Sequence, residues 1–186
     1  MTKEKTALIK EMQDELFHLN GKGWFRIISG SMHPLIDIND RVLVKKIAPF
    51  EVRIRDIILF KSNDAFVAHR VIKLEKHNGK TMVLQKGDEG VHAGLIAPES
   101  IIGKVMTIEK RGRFLDLESG KGRVINSLLG FKNCIFYRLD RRIYRIKQML
   151  RDKPCFTHVR AMYRLFKKPL SFLNRMLVRI LLNRLF

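Results

Sequence analysis

Three short stretches of this sequence carry, in chain order, a serine, a histidine and an aspartate. Ser31 follows Ser-Gly, His69 precedes Arg-Val-Ile, and Asp88 follows Lys-Gly. A hydroxyl is a weak nucleophile at neutral pH unless a base removes its proton, and the base works best when a third group orients it. An unperturbed imidazole titrates near ~6.5, so His69 is expected to be mostly neutral at pH 7 and able to accept that proton. These residue types predict the chemistry of a serine hydrolase.

The sequence around these residues resembles type I signal peptidases. Six of that family's conserved boxes occur in order and at similar spacing over roughly residues 24 to 110: Ser29–Pro34, Ile36–Val44, Asp56–Phe60, His69–Ile72, Lys86–Asp88 and Ile101–Val105. Each box alone is a weak signal, whereas six in register are specific. The bacterial branch has a lysine base just before Arg-Val, and His69 occupies that position here. This is the pattern of the Ser-His branch found in endoplasmic-reticulum and archaeal enzymes.

The resemblance implies a role for each of these residues. Ser31 is the expected nucleophile, His69 the general base and then the general acid, and Asp88 the residue that holds or charges the site. The Ser31 amide, helped by the Ser29 hydroxyl, is expected to form the oxyanion hole, which stabilises the negatively charged intermediate. The implied activity is a serine endopeptidase that cleaves leader or signal-type peptides after small residues. Its substrate, a peptide or preprotein, is expected to bind as an extended strand beside a sheet edge.

Three features depart from the family pattern. The Ser-His branch commonly has a second aspartate a few residues after Lys-Gly-Asp, and here this stretch contains Glu89 and His92 but no aspartate. Either of these two residues could substitute, or Asp88 could suffice. Asn39 and Arg55 each precede an aspartate at positions where the family usually has glycine. Asparagine tolerates the left-handed backbone conformation that glycine supplies, and arginine tolerates it less readily.

The pattern of apolar runs and turn residues predicts a mainly β fold. Short runs between Trp24 and Lys110 are separated by turn residues, as is typical of strands. The expected strand regions are Arg41–Lys46, Asp56–Phe60, Ala65–Leu74, Thr81–Gln85, Ile101–Lys110 and Phe114–Leu117. Asn78-Gly79 is a strong hairpin signal, and a second hairpin is expected at Arg111-Gly112-Arg113. We therefore expect a coiled antiparallel or barrel-like β-domain over residues 23–120, and the resemblance implies the fold shared by signal peptidases and LexA.

The 186-residue chain has room for one domain and flanking helical segments. Residues 1–22 predict an amphipathic helix rather than a signal peptide, because charges are mixed throughout and apolar residues recur at helical spacing. These apolar residues are Leu8, Ile9, Met12, Leu16 and Leu19. Residues 121–186 predict a basic helical extension with breaks at Pro154 and Pro169. Its first helix is marked by Ile135, Leu139, Ile143, Ile146 and Leu150, and its last part, Leu170–Phe186, has a broad apolar face.

The charge of the chain predicts an anionic partner. The sequence has 37 Lys and Arg residues against 18 Asp and Glu residues, a formal net charge of +19. Basic helices with a wide apolar face bind anionic membrane surfaces, so we expect peripheral membrane association through the C-terminal helices, or a cytoplasmic location. No window has the roughly 20 apolar residues that a membrane span needs. Packing of these helices on the β-domain or on a second copy is an alternative. Nucleic acid is disfavoured, because aromatic stacking platforms and groove-reading motifs are missing.

Two other function classes fit the same fold. A LexA-like regulator predicts a helix-turn-helix module and a scissile Ala-Gly before the serine, but only thirty residues precede Ser31 and they contain no Ala-Gly. LexA-type repressors also use lysine rather than histidine as the base. A non-catalytic membrane-surface adaptor is the second alternative. No cofactor or metal is expected, because Cys134 and Cys155 have too few neighbouring ligands for zinc and are best interpreted as reduced thiols. A disulfide between them is the less favoured interpretation.

Overall fold

The computed structural model describes residues 17, 19–62, 65–90, 92–149 and 176. The described residues form eight β-strands and one long helix, α1, and this confirms the mainly β fold. The strands are β1 (Lys22–Arg26), β2 (Arg41–Lys45), β3 (Ile57–Ser62), β4 (Ala65–His77), β5 (Lys80–Lys86), β6 (Ala93–Ile96), β7 (Ile101–Lys110) and β8 (Arg113–Asp116), and α1 spans Gly120–Met149. Short 3-10 turns at Pro49–Glu51 and Pro98–Ser100 precede β3 and β7.

The strands form one antiparallel sheet in the order β1-β2-β7-β3-β4-β5-β6, with β8 beside β7. β4 is the longest strand, with 13 residues, and it lies between β3 and β5. It carries His69. Because successive side chains of a strand point to opposite faces, His69 and its neighbour Arg70 lie on different faces of β4. The register of β4 with its neighbours therefore decides what each of these two side chains contacts.

Two tight hairpins lie where the turn residues predict them. Asn78 and Gly79 join β4 to β5 with φ values of 50° and 77°, and Arg111 and Gly112 join β7 to β8 with φ values of 52° and 76°. Two successive positive φ values are typical of type I′ turns, whose twist matches that of the flanking strands. The apolar runs predict β2, β3, β4, β5, β7 and β8, whereas they do not single out β1 or β6.

The core is built on the central strands. β3 is buried continuously over Ile57–Phe60, as expected for a strand that is covered on both faces. A buried apolar cluster joins β3, β4 and β5 to the segment before β3 and consists of Val52, Ile58, Phe60, Val71 and Val83. This packing makes β4 a rigid support for the histidine that it carries.

Asn39 and Arg55 both adopt the left-handed conformation, with φ values of 74° and 81°. In each case the carboxylate of the following aspartate, Asp40 or Asp56, accepts a hydrogen bond from the backbone N–H three residues before it. The N–H of Arg55 also donates to the carbonyl oxygen of Val71 at 2.8 Å. A residue other than glycine in a strained backbone conformation costs roughly 1–3 kcal/mol, so these hydrogen bonds are needed to hold the two turns.

The start of α1 packs on the sheet through small and apolar residues. Ile125 and Leu129 are buried, and a Cβ on Gly122 would lie 2.0 Å from a backbone oxygen of β8. One compact unit of the chain ends at Gly130 and a second begins at Phe131, within α1. The first compact unit therefore includes the first turns of α1, which begins at Gly120.

Several predicted features lie outside the described residues. Most of the predicted helix over residues 1–22 lies outside them. At its predicted end, β1 already begins at Lys22. The helical stretches predicted beyond α1 lie outside as well, and so does Cys155. Cys134 lies buried in α1. Within the described part of the chain, no helix combines the length and the apolar character of a membrane span.

Candidate active site

After β1 ends at Arg26, the chain enters a turn that begins at Ser31. Met32, Leu35 and Ile36 are almost completely buried, with exposed fractions of 1%, 0% and 0%. These three side chains anchor the turn in the core, so that Ser31 stays partly exposed. The Ser31 carbonyl oxygen accepts a hydrogen bond of 3.0 Å from the backbone N–H of Glu89. Glu89, one of the two residues considered as a substitute for the second aspartate, thereby ties the turn to the loop after β5.

Gly87 lies between Ser31 and His69. A Cβ added to Gly87 would be 3.1 Å from Ser31 Cβ and 3.2 Å from His69 Nε2, so these two atoms are no farther apart than the sum of the two distances. Gly87 therefore packs against both residues, and even one additional methyl group would not fit there without displacing a neighbour. Among the described residues, no hydrogen bond joins Ser31 Oγ to His69 Nε2, which is common in catalytic sites without substrate. The structure therefore brings together the two residues on which the predicted chemistry depends.

The His69 ring is oriented by Gln85, a residue to which the motifs assign no role. Nδ1 of His69 donates a hydrogen bond of 2.5 Å to Oε1 of Gln85. Because an amide oxygen only accepts, this bond keeps the proton on Nδ1 and leaves the lone pair on Nε2, toward Ser31. Gln85 is buried, and its partner on β6 is Gly94, where a Cβ would lie 2.8 Å from Gln85 Nε2. A larger residue at Gly94 would displace the amide that orients the base.

The surroundings of His69 favour its neutral form. Burial lowers the pKa of His69 below its ordinary value. The hydrogen bond to Gln85 and the negative charge of Asp88 oppose this change, and the positive charge of Lys86 adds to it. The Phe60 ring packs beside the imidazole, with 5.9 Å between the ring centroids. A base with a lowered pKa stays unprotonated, and so stays able to accept the serine proton, at mildly acidic pH.

Asp88 is held by Arg70. Its carboxylate oxygens accept hydrogen bonds of 2.7 Å each from Nε and Nη2 of Arg70, and the two side chains have exposed fractions of only 1% and 0%. The resemblance gives Asp88 the role of holding or charging the site. Its charge raises the pKa of His69 through space, whereas the hydrogen bond that orients the ring goes to Gln85. Because breaking such a buried pair costs about 3–5 kcal/mol, Asp88 also holds the loop that carries Gly87.

Arg70 also connects the site to α1. Its Nη1 donates to the side-chain oxygen of Asn126 at 2.5 Å and to the carbonyl oxygen of Arg55 at 3.0 Å. Arg55 in turn lies against α1, since a Cβ on Gly130 would be 2.6 Å from Arg55 Cβ. The arginine that follows His69 in the motif therefore has a structural role. It joins the loop after β5, the turn before β3 and the start of the helix.

Ser29 and a small cavity lie beside the serine. Ser29 Oγ is exposed and 3.4 Å from Ser31 Oγ, close enough to act with the Ser31 N–H on an oxyanion. The neighbouring cavity of about 60 Å³ is lined mainly by apolar side chains, among them Met32, Phe66 and Ala68. Its size suits a small apolar side chain of a bound peptide.

His33 forms a separate pair with Asp37 in the same turn. Nδ1 of His33 is 2.6 Å from Asp37 Oδ1, and the buried Lys110 donates from Nζ to Asp37 Oδ2 at 3.0 Å and lies 3.3 Å from Asp40 Oδ2. Burial would raise the pKa of Asp37, but the hydrogen bonds from His33 and Lys110 outweigh this effect and lower it. These contacts hold the turn that presents Ser31 and explain His33 without a role in the chemistry.

Comparison with known proteins does not assign the chain to a family. No protein-family model matches the sequence, and no curated protein sequence matches it. The resemblance to type I signal peptidases therefore depends on the sequence motifs alone. Within the described ranges, no group of three or more histidine, cysteine or acidic side chains is arranged to hold a metal ion.

Proposed function

We propose that this protein is a serine endopeptidase similar to type I signal peptidases, with Ser31 as the nucleophile and His69 as the base. The observation that carries the proposal is the position of Gly87, against which Ser31 Cβ and His69 Nε2 both lie closely, at 3.1 Å and 3.2 Å from the site of an added Cβ. Gln85 supports it, because its bond to Nδ1 gives the imidazole the tautomer that a base needs. The sheet is then of the type shared by signal peptidases and LexA-type repressors.

The mechanism uses the same imidazole twice. Ser31 Oγ attacks the scissile carbonyl carbon while His69 Nε2 takes the hydroxyl proton, and the charge of Asp88 favours the imidazolium that forms. The Ser31 N–H and the Ser29 hydroxyl stabilise the negative charge on the former carbonyl oxygen. His69 then donates its proton to the leaving amine, the C–N bond breaks, and an acyl-enzyme remains on Ser31. His69 then takes a proton from a water molecule, whose oxygen attacks the acyl carbon. As the acyl group leaves, His69 gives this proton to Ser31 Oγ.

The cavity beside Ser31 supports a substrate with a small residue before the cut. Its volume of about 60 Å³ leaves little room for a long or branched side chain. The segment between β1 and Ser31 is accessible to a ligand, since the side chain of Ile28 within it is 77% exposed. A peptide bound alongside this segment in the extended conformation would place its scissile carbonyl at Ser31. Leader or signal-type peptides are substrates of this kind.

The proposal is tested by mapping cleavage sites in a peptide library. The purified full chain, in the presence of vesicles that contain anionic lipid, is incubated with a mixture of peptides of known sequence, and the products are identified by mass spectrometry. We expect cuts after alanine, glycine or serine, and no such cuts by the Ser31→Ala variant. Identical cuts by both proteins would contradict the proposal. An intact library with both proteins would contradict it as well and favour the non-catalytic adaptor.

Gln85 is expected to control the pH dependence of the reaction. Gln85→Leu removes the acceptor for Nδ1, so that the wrong tautomer becomes populated, and we expect a loss in kcat/KM on the order of 100-fold. Gln85→Glu restores an acceptor and raises the pKa of His69, because a carboxylate favours the imidazolium. Since only neutral His69 accepts the serine proton, the acidic limb of the kcat/KM profile is expected to move to higher pH in Gln85→Glu.

The pH profile separates this role from a merely structural one. Circular dichroism and thermal unfolding would establish that both variants fold. A folded Gln85→Leu variant with full activity would contradict the role of Gln85, and so would an unchanged acidic limb in Gln85→Glu.

A further inference from the structure

The second compact unit contains an exposed apolar face on α1. Five apolar side chains there are strongly exposed: Phe131 by 58%, Ile135 by 38%, Leu139 by 45%, Ile146 by 47% and Met149 by 80%. At 3.6 residues per turn, these five positions lie within a sector of about 80° around the helix axis. They extend along about 27 Å of helix, at 1.5 Å per residue. We call this set the apolar stripe.

Basic residues accompany the apolar stripe. Arg142 lies within the same sector, Arg138 and Arg145 lie next to one edge of it, and all three are exposed. Asp140 is the one acidic residue in the sequence of α1, and it lies about 140° from the centre of the stripe. An apolar face bordered by cations, with the acid on the far side, is the pattern of a helix that lies in a lipid–water interface.

We propose that the apolar stripe of α1 docks on an anionic lipid surface, with its side chains at the level of the acyl chains and the arginines among the headgroups. The charge distribution decides between the possible occupants. A second copy of the helix would bring the arginines of both copies together without enough acids to pair with them. The remaining segment of this chain, residues 150–186, is also strongly basic and contains one acid, Asp152, so it supplies few partners for the arginines beside the stripe.

The apolar side chains also argue against nucleic acid as the occupant. Phosphate contacts need cations that point at the backbone, and a continuous row of apolar side chains between them would remain exposed to water. A bilayer interface satisfies both groups at once. Docking of α1 on lipid does not depend on the chemistry at Ser31, so lipid docking and peptide cleavage can fail independently.

The test compares tryptophan side chains on opposite faces of the same helix. Leu139→Trp places the probe in the apolar stripe, and Tyr144→Trp places it on the opposite face, where Tyr144 is 61% exposed. The full-length variants are mixed with vesicles of brominated phosphatidylcholine and phosphatidylglycerol, and fluorescence quenching is measured relative to the parent, which contains only Trp24. We expect the added emission in Leu139→Trp to be quenched several-fold more than that in Tyr144→Trp.

Two controls complete the test. With phosphatidylcholine alone, the quenching in Leu139→Trp is expected to fall, because the arginines lose their anionic partners. In the triple variant Arg138→Gln, Arg142→Gln, Arg145→Gln, which also carries Leu139→Trp, the lipid concentration for half-maximal quenching is expected to rise at least tenfold. Equal quenching of the two tryptophan variants would overturn the proposal. A blue-shifted, concentration-dependent emission of Leu139→Trp without vesicles would overturn it in favour of a second copy.

Discussion

Alanine at Ser31 or at His69 is expected to lower kcat/KM by a factor on the order of 10⁴ or more, and the double variant is expected to be no worse than either single variant. The reason is that the two side chains act as one unit. Without the imidazole the hydroxyl keeps its proton, and without the hydroxyl the imidazole has no nucleophile to activate. The loss is measured with the best peptide from the library, under conditions in which the parent follows Michaelis–Menten kinetics.

His33→Ala is the matched control for this prediction. His33 is nearer to Ser31 in the sequence than His69 is, but its Nδ1 is bonded to Asp37 at 2.6 Å. We expect the His33→Ala variant to retain most of its activity, with at most a lower melting temperature. If His33→Ala abolished cleavage and His69→Ala did not, the base would be the His33–Asp37 pair, and the proposed mechanism would be wrong.

Gly87→Ala is expected to abolish most of the activity by steric means alone. The new Cβ would lie 2.6 Å from the Ser31 carbonyl oxygen, 3.1 Å from Ser31 Cβ and 3.2 Å from His69 Nε2. The carbonyl cannot move away easily, because it accepts the N–H of Glu89. The methyl group would fill the space through which the proton must pass. Since a displacement of about 1 Å can cost 100-fold, we expect kcat/KM to fall by at least that factor.

Gly90→Ala provides the control in the same loop. A Cβ at Gly90 would have its closest neighbour at 3.5 Å, an ordinary contact distance. Neither Gly87 nor Gly90 has a left-handed φ, so backbone strain does not distinguish the two substitutions. We expect Gly90→Ala to keep near-parent activity and a similar melting temperature. Full activity in Gly87→Ala would mean that the space beside Gly87 is not the path between nucleophile and base.

Local sequence signals predict much of the sheet. The Asn78-Gly79 turn needs two successive positive φ values, which Asn-Gly supplies readily, so this hairpin follows from the sequence. At Arg111-Gly112 only the glycine favours a positive φ, so the signal for the second hairpin is weaker. The absence of glycine at Asn39 and Arg55 gave no such guidance. Both adopt positive φ nevertheless, because their N–H groups donate hydrogen bonds to the carbonyl oxygens of Ile27 and Val71, which are distant in the sequence.

The candidate site could be predicted only in part. The motifs indicated Ser31 and His69, whose spatial proximity requires the sheet. They did not indicate Gln85 as the partner of Nδ1, or Asn126 as a partner of Arg70. Nothing in the sequence marks a strand glutamine for this role, because the role depends on which residue of the adjacent strand lies beside the glutamine.

The register of β4 and β5 shows where the sequence stops being informative. The hairpin turn fixes the first pairs of the ladder, from His77 with Lys80 to Lys73 with Leu84. A regular ladder continued from these pairs would place His69 opposite Asp88, and the aspartate would then be the natural partner of the imidazole.

The structure instead has a register shift between Val71 and Lys73, after which Val71 pairs with Gln85. Shifting a ladder by one residue exchanges the faces of the strand, so Gln85 joins the face of His69 and Asp88 joins that of Arg70. Val71 and its neighbour Ile72 are both buried, with exposed fractions of 0% and 4%. The sequence by itself predicted Ser31 as nucleophile and His69 as base, and it located the hairpin turn. Only the packing of these two adjacent side chains in the core decided which residue orients the base.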